Sequence, residues 1–416
     1  MTSPSLPDKI SFWVSLYANL AAEREGTRDG LESYLHDEIT SYLERNREQL
    51  GSWRVVWGPS VKLSPLQPIV TNAMYLAQSQ EDPSRYVVGI AGTNPPDTVA
   101  WIFQNFNILP QIGFVRGVQA PERWQVKVSP GAATGLNVLK KLTAGGDRPG
   151  VGSTLRDFLK DLPKDGVSIT VGGHSLGGTL ASVFGLWLRN TQKTTLVPAL
   201  LPGWDIQENA AISVLSTGGP TPGNAGFAEY LGERLDAVTR YSNSLDVVPN
   251  SWEPPSMQAA ARYYDEHGVP NPVPGLFHAA AAWSWAAGRY RHIAPDALSF
   301  KGSFSHDHAG KWGTQVRYQH QDAYAEFFDI DGLDIPEGFL TEGNETIWTP
   351  ELKAVLERNG VEAPADLAEV SADSGPPVLV VLDQPVQAPD ELDSPEAGEL
   401  ARWIEAELND SGGAQG

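Results

Sequence analysis

From Ile10 to Leu50 apolar residues recur every three or four positions: Phe12, Leu16 and Leu20, then Leu31, Leu35, Ile39 and Leu43, with the break "EGTRDG" between the two sets. That spacing puts each set on one face and predicts two amphipathic helices. The period then changes. "NAMYLAQSQEDPSRYVVGIAGT" holds two β-rich runs around a polar turn, a hairpin leading into a buried strand at Tyr86 to Ala91. "PGAATGLNVLKKLTAGG" and "VGSTLRDFLKDLPKDG" return to helical spacing and end in glycine. The strand "VSITVGG" follows, then a helix, "GTLASVFGLWLRN", that is apolar nearly all round. Strand "AAISVLSTGG", helix "AGFAEYLGERL" and strand "AVTRYSN" continue the rhythm.

Strands that are apolar throughout, rather than at every second residue, are buried on both faces. Alternating with helices, they predict the α/β class with a mainly parallel central sheet and helices on both faces. Two regions break the rhythm: Asp97 to Gln119, rich in large apolar residues without a period, and Asn250 to Lys311, with Trp252, several prolines and "FHAAAAWSWAAGRY". Beyond Leu340 the chain is acidic and proline-rich, with one β-like run, "PVLVVL", and an end, "SGGAQG", expected to be disordered. The expected organisation is one domain over 1–340, with an irregular apolar segment at 97–118 and an insertion at 250–311, followed by an acidic extension at 341–416.

The chain has 416 residues, 41% hydrophobic and 9% aromatic, enough for a sizeable core. A formal net charge of -21 argues against nucleic acid and anionic membrane surfaces as partners, because phosphate would be repelled. Without cysteine, disulfides, thiolate metal sites and a cysteine nucleophile are excluded. No stretch reaches the ~18 apolar residues of a membrane span. The first residues lack the apolar core and cleavage site of a signal peptide, which makes the expected location cytoplasmic by default, or secreted if a signal has been trimmed.

The chemistry concentrates at Gly173, His174, Ser175, Leu176 and Gly177, a G-x-S-x-G pentapeptide between an apolar strand and an apolar helix. A nucleophilic serine needs such a turn: glycines allow the tight backbone, and the amide after the serine lies at a helix N-terminus, where it can hold an oxyanion. The hydroxyl needs a base, and the base an acid to fix its tautomer. Asp246 of "RYSNSLDVVPN" follows a parallel strand at the end where such sheets carry their sites. His320, His306 and His308 remain as bases. His174 lies inside the turn and His36 precedes the sheet, while His267, His278 and His292 fall within the insertion. "SHDHAG" could suggest a metal pair, but nothing nearby completes a ligand set.

From about Asn72 to Phe328 the sequence resembles the class 3 lipase family, the fungal lipase-like group of α/β hydrolases. The likeness runs through "GIAGT", "GGHSLGGTLA", "GGPTPGNAGFA", "RYSNSLDVVP" and a histidine, His320, ahead of Tyr324. It implies the α/β-hydrolase fold with lid or cap insertions, the candidate lid being 97–118. Ser175 would be the nucleophile, Asp246 the acid and His320 the base, with Thr93 and the Leu176 amide as oxyanion donors. His174 would point away from the chemistry, and Gly219, Pro220, Gly223 and Asn224 would be scaffold. Trp101, Phe103, Phe106, Ile108, Leu109 and Phe114 would line or cover an acyl groove, and Phe277, Trp283 and Trp285 could form a cap wall. One departure is "SPGAATG", where many members have a histidine and a glycine.

The implied activity is hydrolysis of acylglycerols or similar hydrophobic esters, without metal or organic cofactor. Phospholipase A1 and feruloyl or polyester esterase activities use the same triad, and a non-catalytic lipid-binding protein is the alternative of another class.

Overall fold

The computed structural model describes residues 3–340 apart from 23, 65–67, 93–110, 115–125, 194–202, 273, 287–288, 295–298, 309–310 and 337–338. The chain divides into units Met1–Gly375 and Pro376–Gly416, the second wholly outside the described residues. The acidic extension therefore lies outside them too.

Six strands form one sheet in chain order: β1 (Trp53–Leu63), β2 (Val70–Ser79), β3 (Arg85–Ile90), β4 (Ser168–His174), β5 (Ala211–Thr217) and β6 (Ala237–Tyr241). The first three pair antiparallel, and β3 to β6 run parallel. The hairpin expected around "SQEDPS" is β2–β3. No sequence pattern announced β1, and its pairing shows why: register shifts at Val55/Trp57 and Trp57/Ser60 break the two-residue alternation that marks a strand.

Both faces are covered, as the unbroken apolar strands require. Over one face lie α3 (Pro130–Leu139), α5 (Leu176–Asn190) and α6 (Ala225–Arg234), with Leu136, Leu180, Phe184 and Phe227 in the same core as Ile169, Val171 and Val214. Over the other lie α1 (Leu6–Leu16) and α2 (Arg28–Arg45), packing Phe12, Leu35 and Ile39 with Tyr75, Val87 and Leu215. Helix α1 starts where Ser5 caps the Asp8 amide, and Phe12 stacks on Phe328 at 4.3 Å. The helical pattern continuing past α3 is not realised as helix. Thr143 instead makes an antiparallel bridge with Thr154, which caps the short α4 (Leu155–Lys160).

The insertion expected to be irregular contains two helices, α7 (Pro254–Ala260) and α8 (Pro274–Ala286). Glu253 caps α7 by accepting from the Ser256 amide, and proline at its start needs no amide partner. Phe277 packs inward, edge-on to Trp312 at 6.0 Å, while Trp285 is exposed. The Trp283 side chain lies outside the described residues. Helices α9 (Trp312–His320) and α10 (Asp322–Phe327) bring the chain back to the sheet. Of the candidate lid, only 111–114 is described: Ile112–Gly113 pairs with Lys127–Val128, and Phe114 packs on Phe227 in the core at 5.7 Å. Trp101, Phe103, Phe106, Ile108 and Leu109 lie outside the described residues.

Candidate active site

Strand β4 ends at His174 and α5 begins at Leu176, so one residue makes the turn. Ser175 has φ 59 and ψ -131, a left-handed conformation that costs a non-glycine residue on the order of 1–3 kcal/mol. The flanking glycines are obligatory. A Cβ on Gly173 would lie 2.4 Å from the Gly177 carbonyl carbon, and one on Gly177 would lie 2.4 Å from the Ile90 oxygen. The turn is held by the Ser175 amide donating to the Thr217 carbonyl at 2.9 Å and by the Gly178 amide donating to the Ser175 carbonyl at 2.9 Å. Although Ser175 occupies the N-cap of α5, its hydroxyl makes no capping bond. The Leu176 amide is the first of the helix, where no intrahelical acceptor exists.

Asp246 lies in the turn after β6 and is fully buried. His320 Nδ1 donates to its Oδ2 at 2.8 Å, and the Val248 amide donates to Oδ1 at 2.9 Å. The Tyr324 hydroxyl supplies a third donor and itself accepts from the Asn243 amide at 3.0 Å. Burial pushes the Asp246 carboxyl up, and His320, Val248 and Tyr324 each pull it back. A carboxylate accepts only, so His320 carries its proton on Nδ1 and its Nε2 is the free base.

His320 Nε2 is buried and has no hydrogen-bond partner among the described residues. The His320 ring packs against the turn that fixes Ser175: its Cε1 lies 3.2 Å from where a Cβ on Gly218 would be, and Gly218 follows the Thr217 that holds the Ser175 amide. His320 and Asp246 are thus in contact, while no hydrogen bond joins His320 Nε2 to the Ser175 hydroxyl. Free hydrolases commonly close that bond only with substrate.

The other histidines are engaged elsewhere. His308 Nδ1 pairs with Ser305 Oγ at 2.8 Å and its ring stacks on Tyr318, while His306 meets the edge of Phe304. His267 stacks on Phe304 at 4.2 Å, and His278 is exposed. His292 is held between Thr221 Oγ1 at 2.8 Å and Ser256 Oγ at 3.0 Å. His174 lies with its ring 4.7 Å from that of His320 and 5.0 Å from that of Tyr324. Burial first, then His320, hold the His174 pKa well below the usual histidine range, so it is neutral.

Thr93 lies outside the described residues, but its predecessor is anchored: the Gly92 amide donates to Asn19 Oδ1 at 2.7 Å. Asn224 is scaffold, capping α6 through the Phe227 amide at 2.9 Å and accepting from the Lys127 amide at 3.0 Å. Sequence reasoning missed Asn19, Asn243, Gln315 and Gln319. The last two lie four apart on α9, both buried, and polar residues on a buried helix face are the signal that could have found them. Among the described residues no helix is long and apolar enough to cross a membrane, and no group of three acidic or histidine side chains could hold a metal.

The sequence profile of the family described as Lipase (class 3) matches residues 101–254. The solved M37 lipase superposes with a TM-score of 0.67 at 26% identity, covering 81% of this chain and 97% of that one. Over residues 101–254 the chain is thus similar to the class 3 lipase family. A lipase from Rhizopus microsporus var. chinensis aligns at 19% identity and a TM-score of 0.38, over 60% of this chain and 70% of that one. Over 90 residues the chain is 37% identical to phospholipase A1-Igamma2, chloroplastic, of Arabidopsis thaliana, a match covering 20% of this chain and only 15% of that relative's own length. The matched stretch contains Ser175 and Asp246 but ends at 254, in the first residues of the insertion and well before His320.

Proposed function

We propose that the protein is a serine carboxylic ester hydrolase of the lipase type, with Ser175 as nucleophile, His320 as general base and acid, and Asp246 as the acid that orients it. The observation that carries the reading is the pairing of His320 Nδ1 with buried Asp246 beside the turn that holds Ser175. In the first half-reaction His320 Nε2 takes the hydroxyl proton as Ser175 Oγ attacks the ester carbonyl. Charge gathers on the carbonyl oxygen, where the Leu176 amide and Thr93 are the proposed donors. His320 returns the proton to the leaving alcohol, and water repeats the sequence to free the acid and Ser175. Each step is served by these residues, so the cycle calls on no metal or organic cofactor.

The proposed substrates are acylglycerols or similar hydrophobic esters, in keeping with the class 3 lipase profile and the M37 lipase. A second reading, phospholipase A1, is favoured by the name of the Arabidopsis relative. Residues 1–340 would form the hydrolase and 341–416 an appended extension.

Hydrolysis of p-nitrophenyl esters of increasing acyl length, with tributyrin and phosphatidylcholine in parallel, tests the reading. Wild type is expected to cleave them and Ser175→Ala to fall to background. Full activity in a folded Ser175→Ala would end the proposal, release of the sn-1 chain from phosphatidylcholine alone would favour phospholipase A1, and cleavage of short soluble esters alone would replace lipase with esterase.

A further inference from the structure

The acid and base are 74 residues apart in sequence, with the whole insertion between them, yet their side chains meet through one hydrogen bond. One bond does not fix the phase of a helix. In α9, rotation by a single residue would swing His320 by about 100°. A device is needed that makes one phase the only satisfied one, and buried primary amides provide it.

Asn243, Gln315 and Gln319 are each 0% exposed and form a continuous ladder. Asn243, three residues before Asp246, donates through Nδ2 to the Gln319 carbonyl at 2.9 Å and to Gln319 Oε1 at 2.6 Å, and its Oδ1 accepts from the Leu245 amide at 3.0 Å. Gln319 Nε2 donates to the Ser303 carbonyl at 2.7 Å and to Gln315 Oε1 at 2.8 Å. Gln315 then pairs with both backbone groups of Ser305, Oε1 accepting from its amide at 3.1 Å and Nε2 donating to its carbonyl at 2.9 Å. Every side-chain amide is used. The first rung is the acid turn, the middle rung is the residue beside His320, and the last is the extended segment by which the insertion returns.

Apolar side chains of the same volume would hold α9 by packing alone, as Trp312 and Val316 do, with no directional bond to the acid turn. A buried amide left without partners carries a large penalty, so the ladder is satisfied only when acid turn, base helix and return segment stand in this one register. The same Asn243 also donates its amide to the Tyr324 hydroxyl, which bonds Asp246. We propose that Asn243, Gln319 and Gln315 are positioning residues that register the base helix against the acid turn across the insertion, with Gln319 as the central joint. The proposal rests on the hydrolase reading above.

The test uses the full chain with Gln319→Met, which keeps the volume and helix preference but no amide, together with Asn243→Ala and the double variant. Active sites are titrated with a phosphonate, so that kcat counts only folded, reactive molecules. Gln319→Met is expected to lower kcat per titrated site roughly 10- to 100-fold with KM nearly unchanged, the scale for a misplaced catalytic group. A low-field proton resonance of His320 Nδ1–H is expected in wild type and should broaden or vanish in the variant. Because both residues act through one joint, the double variant should lose no more than the worse single one, whereas independent defects would multiply.

A wild-type value of kcat per site with the His320 resonance intact overturns the proposal, whatever happens to thermal stability. Multiplying losses overturn it equally. If Gln319→Met does not fold, Gln319→Glu, of the same shape and still able to accept from Asn243, is measured and judged by the same criteria. A wild-type protein that cleaves no ester fails the hydrolase reading itself and is distinguished by that result alone.

Discussion

Replacing Tyr324 by phenylalanine removes one oxygen from a fully buried ring. The packing stays: the ring still meets Phe300 at 5.2 Å and His174 at 5.0 Å. Two hydrogen bonds go, one to the Asp246 carboxylate and one from the Asn243 amide at 3.0 Å. Stranding a buried amide costs about 1–3 kcal/mol, and hydrogen bonds to charged groups contribute about 1.5–3 kcal/mol. Both losses trace to one hydroxyl, and the Asn243 amide can shift, so a stability loss of about 1–3 kcal/mol is expected. For a chain of this size that lowers Tm by roughly 1–4 °C.

The sharper consequence is electrostatic. Asp246 is already pushed up by burial, and Tyr324 is one of three groups pulling it down. Without that donor the carboxyl rises further and protonates at higher pH, and once neutral it no longer holds the His320 imidazolium. The acid limb of kcat/KM, which reports the coupled pair rather than either residue, should move to higher pH. The assay is kcat/KM on p-nitrophenyl butyrate from pH 5 to 9, with thermal unfolding alongside. An acid limb and a Tm both equal to wild type would refute the role given to the hydroxyl.

Gly177→Ala drives a Cβ to 2.4 Å from the Ile90 oxygen, a backbone atom that cannot step aside. It should abolish esterase activity and lower Tm by at least as much as Tyr324→Phe, and a native-like Tm with full activity would show that the elbow is not so tight. His174 and His292 are both held well below the usual histidine range, chiefly by burial, and for His292 also by Arg240 and Arg291. Such groups stay neutral in the folded protein while the unfolded chain takes up protons near pH 6.5. Stability is therefore complete above that pH and falls as pH drops below it, by up to ~1.4 kcal/mol per pH unit for each histidine. In urea unfolding between pH 7.5 and 5, His292→Gln should flatten the slope by one such share, and an unchanged slope would exclude His292 as a source.

How much could be read from the sequence follows how local each feature is. The elbow is five residues with a strand before and a helix after, all contiguous, so Gly173 to Gly177 announced themselves and the structure supplies the collisions that make the glycines necessary. Asp246 was legible from strand order, since a parallel sheet collects its loops at one end. The base was legible only through the family resemblance, which pointed to His320; the residues alone left His306 and His308 open, because choosing among them requires knowing how the chain returns from the insertion. The structure brings His320, and neither of the others, to Asp246. Strand β1 escaped because its register shifts erase alternation, and the ladder escaped because Asn and Gln carry no period until the helix phase is known. The insertion, read as irregular, holds two helices whose prolines and alanines mask their pattern.

The central claim is that Ser175 is the nucleophile of an ester hydrolase. Its most direct measurement is titration with a fluorophosphonate, following ester hydrolysis and peptide mass together. The account predicts one adduct per chain, on the peptide carrying Ser175, with hydrolysis lost in proportion to labelling and no adduct in Ser175→Ala. Hydrolysis at the full wild-type rate with Ser175 completely labelled, or an adduct on another residue that tracks the loss of activity, would contradict it.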